Sequence, residues 1–204
     1  AALLHCDAVQ GFMKVPFQAK TLGADLISVS SHKIHGPKGA GALYIAPRLK
    51  SFPPLLIGGG QESGFRSGTE ATPAIWGFAA ACEAVNATLK KDIAQEQALL
   101  QFAIEELCKL DGVVINGEPQ APHILSLAIP GVPTQNTINI LQDHGICVSA
   151  GSACSKGHRS HVLEAMGVDP TLIDGSIRIS LCHETTEEEI EKLISIFPSI
   201  IAEL

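Results

Sequence analysis

Aromatic side chains are scarce: seven Phe, one Trp and one Tyr in 204 residues. So few rings leave no stacking platform for the bases of single-stranded nucleic acid. A net charge of −7 argues further against a general nucleic-acid binder. Long apolar runs are missing too. The longest, such as Ile124 to Ile129, fall far short of the roughly 18 residues that a membrane-crossing helix needs. Cys6, Cys82, Cys108, Cys147, Cys154 and Cys182 form no C-x-x-C pair. A zinc knuckle or thioredoxin motif is therefore not expected, and no metal site is. The chain is too large and too poor in Cys to depend on a disulfide framework, which points to a reducing, cytoplasmic compartment. No charged segment precedes the apolar start Ala1-Ala2-Leu3-Leu4. That start does not read as a signal peptide; it reads as the interior of a buried strand.

What is present suits a packed α/β chain. Hydrophobic residues make up 46% and charged residues 17%, with mean hydropathy +0.24. That balance excludes disorder. Charge is uneven along the chain. Residues 1–90 hold eight Lys/Arg against five Asp/Glu, and residues 91–204 hold six against sixteen. A slightly basic first part suits an anionic ligand, and also suits plain surface variation.

Apolar runs at Leu3–Cys6 and Leu26–Ser31 lie about 20 residues apart, the spacing of a β–crossover–β unit and a parallel sheet. Gly41–Ile45 is a third strand candidate. Ligands of parallel sheets bind at the carboxyl ends of the strands, where Asp7 and Ser30-Ser31-His32-Lys33 fall. Residues 53–69 are rich in Gly and Pro but meet neither the Walker nor the dinucleotide spacing. A 3.6-residue apolar period from Ile75 to Leu110 predicts a long helix over about 74–110, closed by Gly112. Val113–Ile115, Ile124–Ile129 and Ile146–Ser149 read as strands, and Thr134–His144 and Ser160–Met166 as helices. Ser176–Cys182 alternates as a half-buried strand. Thr185-Thr186 with Glu188-Glu189 mark a capping box for a last helix, in which Pro198 should make a kink. The expected division is 1–88 and 89–204, joined by the long helix.

Four constellations could carry chemistry. Lys33 follows a strand end among small hydroxyls and glycines. Burial there would turn its amine into a Schiff-base nucleophile, and neighbouring hydroxyl and imidazole groups could hold a phosphate. A solvated lysine in a turn is the alternative. Asp7 with Gln10 could keep a pyridine nitrogen protonated, or Asp7 could simply cap a helix. Cys154 sits in Gly151-Ser152-Ala153-Cys154, followed by Lys156, His158 and Arg159, which would favour a thiolate. An ordinary loop cysteine is equally compatible. Arg178 offers a fork for a substrate carboxylate, or a surface salt bridge.

Taken together, the order and wording of these motifs resemble a known family. Asp7-Ala8-Val9-Gln10, Ser30-x-His32-Lys33-x-x-Gly36-Pro37-Lys38-Gly39, Gly58-Gly59-Gly60-Gln61 with Arg66-Ser67-Gly68-Thr69, Gly151-Ser152-Ala153-Cys154 and Ile177-Arg178-x-Ser180 resemble the cysteine desulfurases of the NifS/IscS type. These belong to the class-V aminotransferase group of pyridoxal 5'-phosphate (PLP) enzymes, with fold-type-I architecture. The resemblance implies the back part of a large parallel-sheet domain followed by a small α/β C-terminal domain.

The same resemblance implies roles. Lys33 would link to PLP as an imine and, once free, act as the base at Cα. Asp7 would pair with the pyridinium nitrogen and Gln10 with the phenolic oxygen. Ser30 and His32 would hold the phosphate. Thr69 would reach the phosphate of a partner subunit's cofactor, which implies a homodimer. Arg178 would bind the carboxylate of L-cysteine. Cys154 would take the sulfur as a persulfide, leaving L-alanine, and pass it to an acceptor such as an iron–sulfur scaffold protein. Two alternatives stand beside this. One is a selenocysteine lyase or another class-V enzyme. The other is a truncated, catalytically silent chain acting only in partner binding, because the family's chains are about twice as long.

Overall fold

The computed structural model describes residues 2–49, 52–151 and 159–202. Two compact units result, Ala1–Leu89 and Lys90–Leu204.

The first unit carries β1 (His5–Asp7), α1 (Ala19–Leu22), β2 (Leu26–Ser30) and β3 (Gly41–Ile45) in one three-stranded sheet of order β1-β2-β3. β1 and β2 are parallel, with Asp7 opposite Ser28. The connection between them is long enough for a crossover and includes α1, which stops at Gly23 in the left-handed region (φ 70°). The third strand corrects the expectation of an all-parallel sheet: β3 runs antiparallel to β2, with Ser30 opposite Gly41. The ten residues between the two strands are too few for a parallel crossover, which needs a dozen or more. The chain therefore turns back on itself.

Buried side chains are few in this unit. Ala8, Ala24 and Ile27 form its cluster. Of the fifteen exposed large hydrophobic side chains among the described residues, twelve precede residue 90; Leu55, Ile57 and Trp76 are the most exposed of them. The unit leaves much of its apolar surface exposed.

Helix α2 (Thr72–Leu107) is one 36-residue rod, roughly 54 Å at 1.5 Å per residue. Its many alanines favour helix, and Pro73 in the first turn forfeits no helical hydrogen bond. The expected span of 74–110 is shortened at its end, since Leu110 lies in the turn that Gly112 (φ 93°) closes.

The second unit has the order β4 (Val114–Ile115), β5 (Ile124–Ala128), α3 (Thr134–Asp143), α4 (His161–Ala165), α5 (Pro170–Asp174), β6 (Ser176–Ser180) and α6 (Glu187–Ile201). Its sheet is antiparallel, β4-β5-β6. Seventeen buried residues make one core, among them Leu107, Leu127, Ile177 and Phe197. Each fully buried Leu, Ile or Phe stabilises by about 1.5–3 kcal/mol. The capping box of α6 forms on Thr186 and Glu189, with both reciprocal bonds made. Pro198 lies in its last turn and the helix continues to Ile201. The expected strand over Ile146–Ser149 shrinks to a single bridge, Ser149 to Arg178. α5 follows Asp169, whose carboxylate accepts from Thr171 N at 2.8 Å. Among the described residues no helix is long and apolar enough to cross a membrane.

Candidate active site

The parallel pairing of β1 with β2 sends two carboxyl ends to the same edge, where a ligand of such a sheet sits. Asp7 is the last residue of β1 and is exposed. Its Oδ1 accepts from Val9 N at 3.0 Å. Gln10 lies exposed in the turn that follows, which is held by Gly11 N and Phe12 N donating to Ala8 O at 3.0 and 2.8 Å.

β2 gives way at Ser30 to a 3-10 turn, Ser31–Ile34, which carries Lys33 half-buried. The turn is clamped from both sides. Ser31 N donates to Ala40 O, and the Ser31 carbonyl accepts from the backbone of His35 and Gly36. His35 is left-handed (φ 64°), a strained setting for a side-chain-bearing residue. Ser31 and Ile34 are buried beneath. Gly36 is required by space: a Cβ there would collide with Ser31 Oγ and sit 3.1 Å from Ala81 Cβ on α2. The Ser31 hydroxyl is buried with no hydrogen-bond partner among the described residues.

One hydroxyl–imidazole pair lies at this edge, Ser30 Oγ and His32 Nδ1, 2.8 Å apart; a second, His5 Nε2 and Ser28 Oγ, 2.7 Å apart, joins the same two strands nearer their start. Nothing in the sequence pattern had drawn attention to His5 and Ser28. Their parallel strand register brings them together.

The Gly-rich loop before α2 is built on positive φ at Gly60, Glu62, Ser63, Gly64 and Gly68. Gln61 braces it: its Oε1 accepts from Gly68 N at 3.1 Å, and Gly59 packs against the same amide. Thr69 follows, exposed. It belongs to this loop rather than to the Lys33 turn.

In the second unit Arg178 lies mid-strand in β6, facing Ser126 of β5. On its other side Arg178 N donates to Ser149 O at 2.6 Å, and Ser149 N to Arg178 O at 3.1 Å. Its Nε is buried without a hydrogen bond among the described residues. A buried guanidinium N–H left unpaired costs more than an ordinary lost bond, so it marks a place for an acceptor. The strand's root is fixed by Asn116 Nδ2 donating to Ser176 Oγ at 2.9 Å and by Thr134 Oγ1 donating to Asp174 O at 2.8 Å.

Cys154, with Lys156 and His158, lies outside the described residues. Arg159 is described, and it forks onto Asp174: Nε to Oδ1 at 2.7 Å and Nη2 to Oδ2 at 2.6 Å. The Arg159 guanidinium holds the Asp174 carboxyl below its ordinary value.

Among the described residues no three His, Cys, Asp or Glu side chains gather as a metal site would require. The first unit also holds a cavity of about 520 Å³, lined by Phe12, Phe17, Ile27, Tyr44, Phe78 and Cys82 among others. It is apolar, and burial pushes the Cys82 thiol up, so it does not supply the reactive group. The Lys33 edge has a different donor set: one amine, one carboxylate and the Ser30–His32 hydroxyl–imidazole pair. That set fits a phosphorylated pyridine aldehyde such as PLP, to which Ser30 and His32 could offer hydrogen bonds for the phosphate, Asp7 a carboxylate for the ring nitrogen and Lys33 an amine for the carbonyl.

Comparison with known proteins points the same way. The family model for aminotransferase class-V matches residues 1–193. A cysteine desulfurase of Nostoc sp. is 40% identical over 211 residues, covering all of this chain and 52% of that protein. A NifS-like protein of Rickettsia africae superposes with TM-score 0.87 at 36% identity, over 98% of this chain and 54% of its own. Another NifS-like protein superposes at TM-score 0.86 and 38% identity, covering 100% of this chain and 53% of that one. The chain thus spans about half the length of the curated relatives it matches.

Proposed function

The chain belongs to the aminotransferase class-V family, and from that premise we propose that the whole protein is a cysteine desulfurase that takes sulfur from L-cysteine. The observation that carries this reading is the shared carboxyl edge of β1 and β2, from which Asp7 and the Ser30–Lys33 turn both emerge. PLP, when bound there, would supply the electron sink for charge developing on the substrate carbon.

The residues of this chain would do the rest. Arg178 would hold the carboxylate of L-cysteine through its fork. The amine of Lys33 would take the proton from Cα as general base. Cys154, as thiolate, would attack the substrate sulfur. A sulfur–sulfur bond forms, the carbon–sulfur bond breaks, and protonation of the carbon skeleton leaves L-alanine. The outer sulfur of the Cys154 persulfide would then pass to an acceptor thiol by exchange, for example on an iron–sulfur scaffold protein. Thr69 would serve a partner subunit's cofactor in a homodimer, and Gln10 the cofactor's ring oxygen. The protein would work in the cytoplasm.

The test uses the full-length protein. Lys33→Ala should lose covalently retained PLP, read by absorbance and by borohydride fixation. Cys154→Ala should abolish sulfide release from L-cysteine. Undiminished sulfide release in Cys154→Ala would overturn the assignment of the thiol. A second reading, a silent partner-binding chain, is favoured for the 204 residues taken alone by the exposed apolar side chains of the first unit. PLP uptake by that chain would sink it.

A further inference from the structure

Arg178 does not stand alone on its strand. The antiparallel register puts Ser126 of β5 directly opposite it. The pairing of β4 with β5 continues to Asn116, whose N donates to Ser126 O at 2.9 Å. Asn116, Ser126 and Arg178 thus form one row across the sheet of the second unit, on one face, because directly opposed residues turn their side chains the same way. We propose that Ser126 is a second hydrogen-bond donor to the substrate carboxylate that Arg178 holds, with Asn116 as the positioning residue that aims its hydroxyl. This rests on the desulfurase reading above.

Three observations support it. Leu125, Leu127, Ile177 and Ile179 alternate with Ser126 and Arg178 and enter the core, so the polar row lies on the opposite face, where no core packing requires it. Arg178 Nε is buried with no hydrogen-bond partner among the described residues, so the row calls for an acceptor. Asn116 is only 7% exposed, and its Nδ2 donates to two hydroxyls, Ser126 Oγ at 3.1 Å and Ser176 Oγ at 2.9 Å. Ser176 Oγ in turn donates to Leu172 O at 2.7 Å, which anchors the amide. The Asn116 Oδ1 is left without a partner among the described residues. The side chain forgoes one bond while both of its N–H groups meet hydroxyls.

The direction of these bonds selects the ligand. Ser126 Oγ accepts from Asn116, so its own proton is turned toward another acceptor. Arg178 Nε also carries a proton to give. Opposed residues hold their Cβ atoms about 4.5–5.5 Å apart, so two neighbouring donors suit one group that accepts at two points. A carboxylate does this with its two oxygens, and its charge strengthens both bonds. The row would therefore tell an α-amino acid from the same molecule without its carboxylate.

The experiment measures binding to the full-length, PLP-loaded protein by isothermal titration calorimetry. The probes are L-alanine and ethylamine, which is L-alanine without its carboxylate. Ser126→Ala should weaken L-alanine about tenfold, the loss of one charge-assisted hydrogen bond, and leave ethylamine unchanged. Ser126→Thr keeps the hydroxyl and should stay within about twofold of the parent. Asn116→Ala should weaken L-alanine about threefold in the parent and add no loss to Ser126→Ala, because it acts only through that hydroxyl. Parental L-alanine affinity in Ser126→Ala, an equal loss for ethylamine, or an equal loss in Ser126→Thr would each overturn the Ser126 assignment. A further loss from Asn116→Ala on top of Ser126→Ala would overturn the positioning role. A parent that binds L-alanine no more tightly than ethylamine would instead sink the amino-acid reading of Arg178, and the Ser126 assignment with it.

Discussion

Ser30 Oγ and His32 Nδ1 stand 2.8 Å apart where β2 hands over to the Lys33 turn. The bond orients two groups proposed to face a phosphate. Ser30→Ala and His32→Ala should each weaken PLP retention in the full-length protein about fivefold, the loss of one hydrogen bond of about 1 kcal/mol. The double variant should lose less than the two losses combined, because both single changes remove the same bond. Equilibrium dialysis against PLP measures all three.

Gly36 leaves no room for a methyl group above Ser31. Gly36→Ala should destabilise by about 1–3 kcal/mol through overpacking. Ser31→Ala should be neutral or stabilising, since it removes a buried hydroxyl that has no partner among the described residues. Combining the two should recover part of the Gly36→Ala loss. Urea denaturation of the full-length protein checks the series.

Asp25 ties the approach to β1 to the end of β3. Its carboxylate accepts from Arg48 Nε at 2.7 Å and from Leu4 N at 2.9 Å. The Arg48 hydrogen bond, then the Leu4 one, holds its carboxyl below the ordinary 3.8. A group depressed in the folded state stabilises above its ordinary value and loses that contribution as pH falls through the lowered one. Unfolding midpoints should therefore drop more steeply below pH 3.8 in the parent than in Asp25→Asn. Equal slopes in acid would show that the tie does not contribute.

The two units should answer mutation differently. Phe197 is fully buried in the second core, and Phe197→Ala should cost about 3–5 kcal/mol. Trp76 is 77% exposed on α2, and in this chain Trp76→Ala should stay within about 0.5 kcal/mol. Thermal melts followed by circular dichroism separate the two cases.

Much of the candidate site was legible because its residues follow strand ends. Asp7 and Lys33 sit where apolar runs stop, and a parallel sheet puts ligands there. The α6 cap was legible for a similar reason, since Thr186 and Glu189 act at fixed spacing. The antiparallel turn of β3 was visible only as a short connection, and its apolar run alone did not set direction. The His5–Ser28 pair comes from strand register, and the Gln61 brace from a loop folding on itself. Arg159 looked like a neighbour of Cys154 by sequence distance. Its partner Asp174 is fifteen residues away along the chain, and only folding brings it close.

Helix α2 has no buried residue before Glu96 and five from there to Leu107. One continuous hydrogen-bonded rod therefore has a partly covered end and an embedded end. Its amides should trade protons with solvent in a gradient, fastest near Thr72 and slowest near Leu107, because opening from the Thr72 end exposes no fully buried side chain. The helix then acts as a built-in gauge: whatever covers the first unit's sheet should register as added protection spreading back toward Thr72.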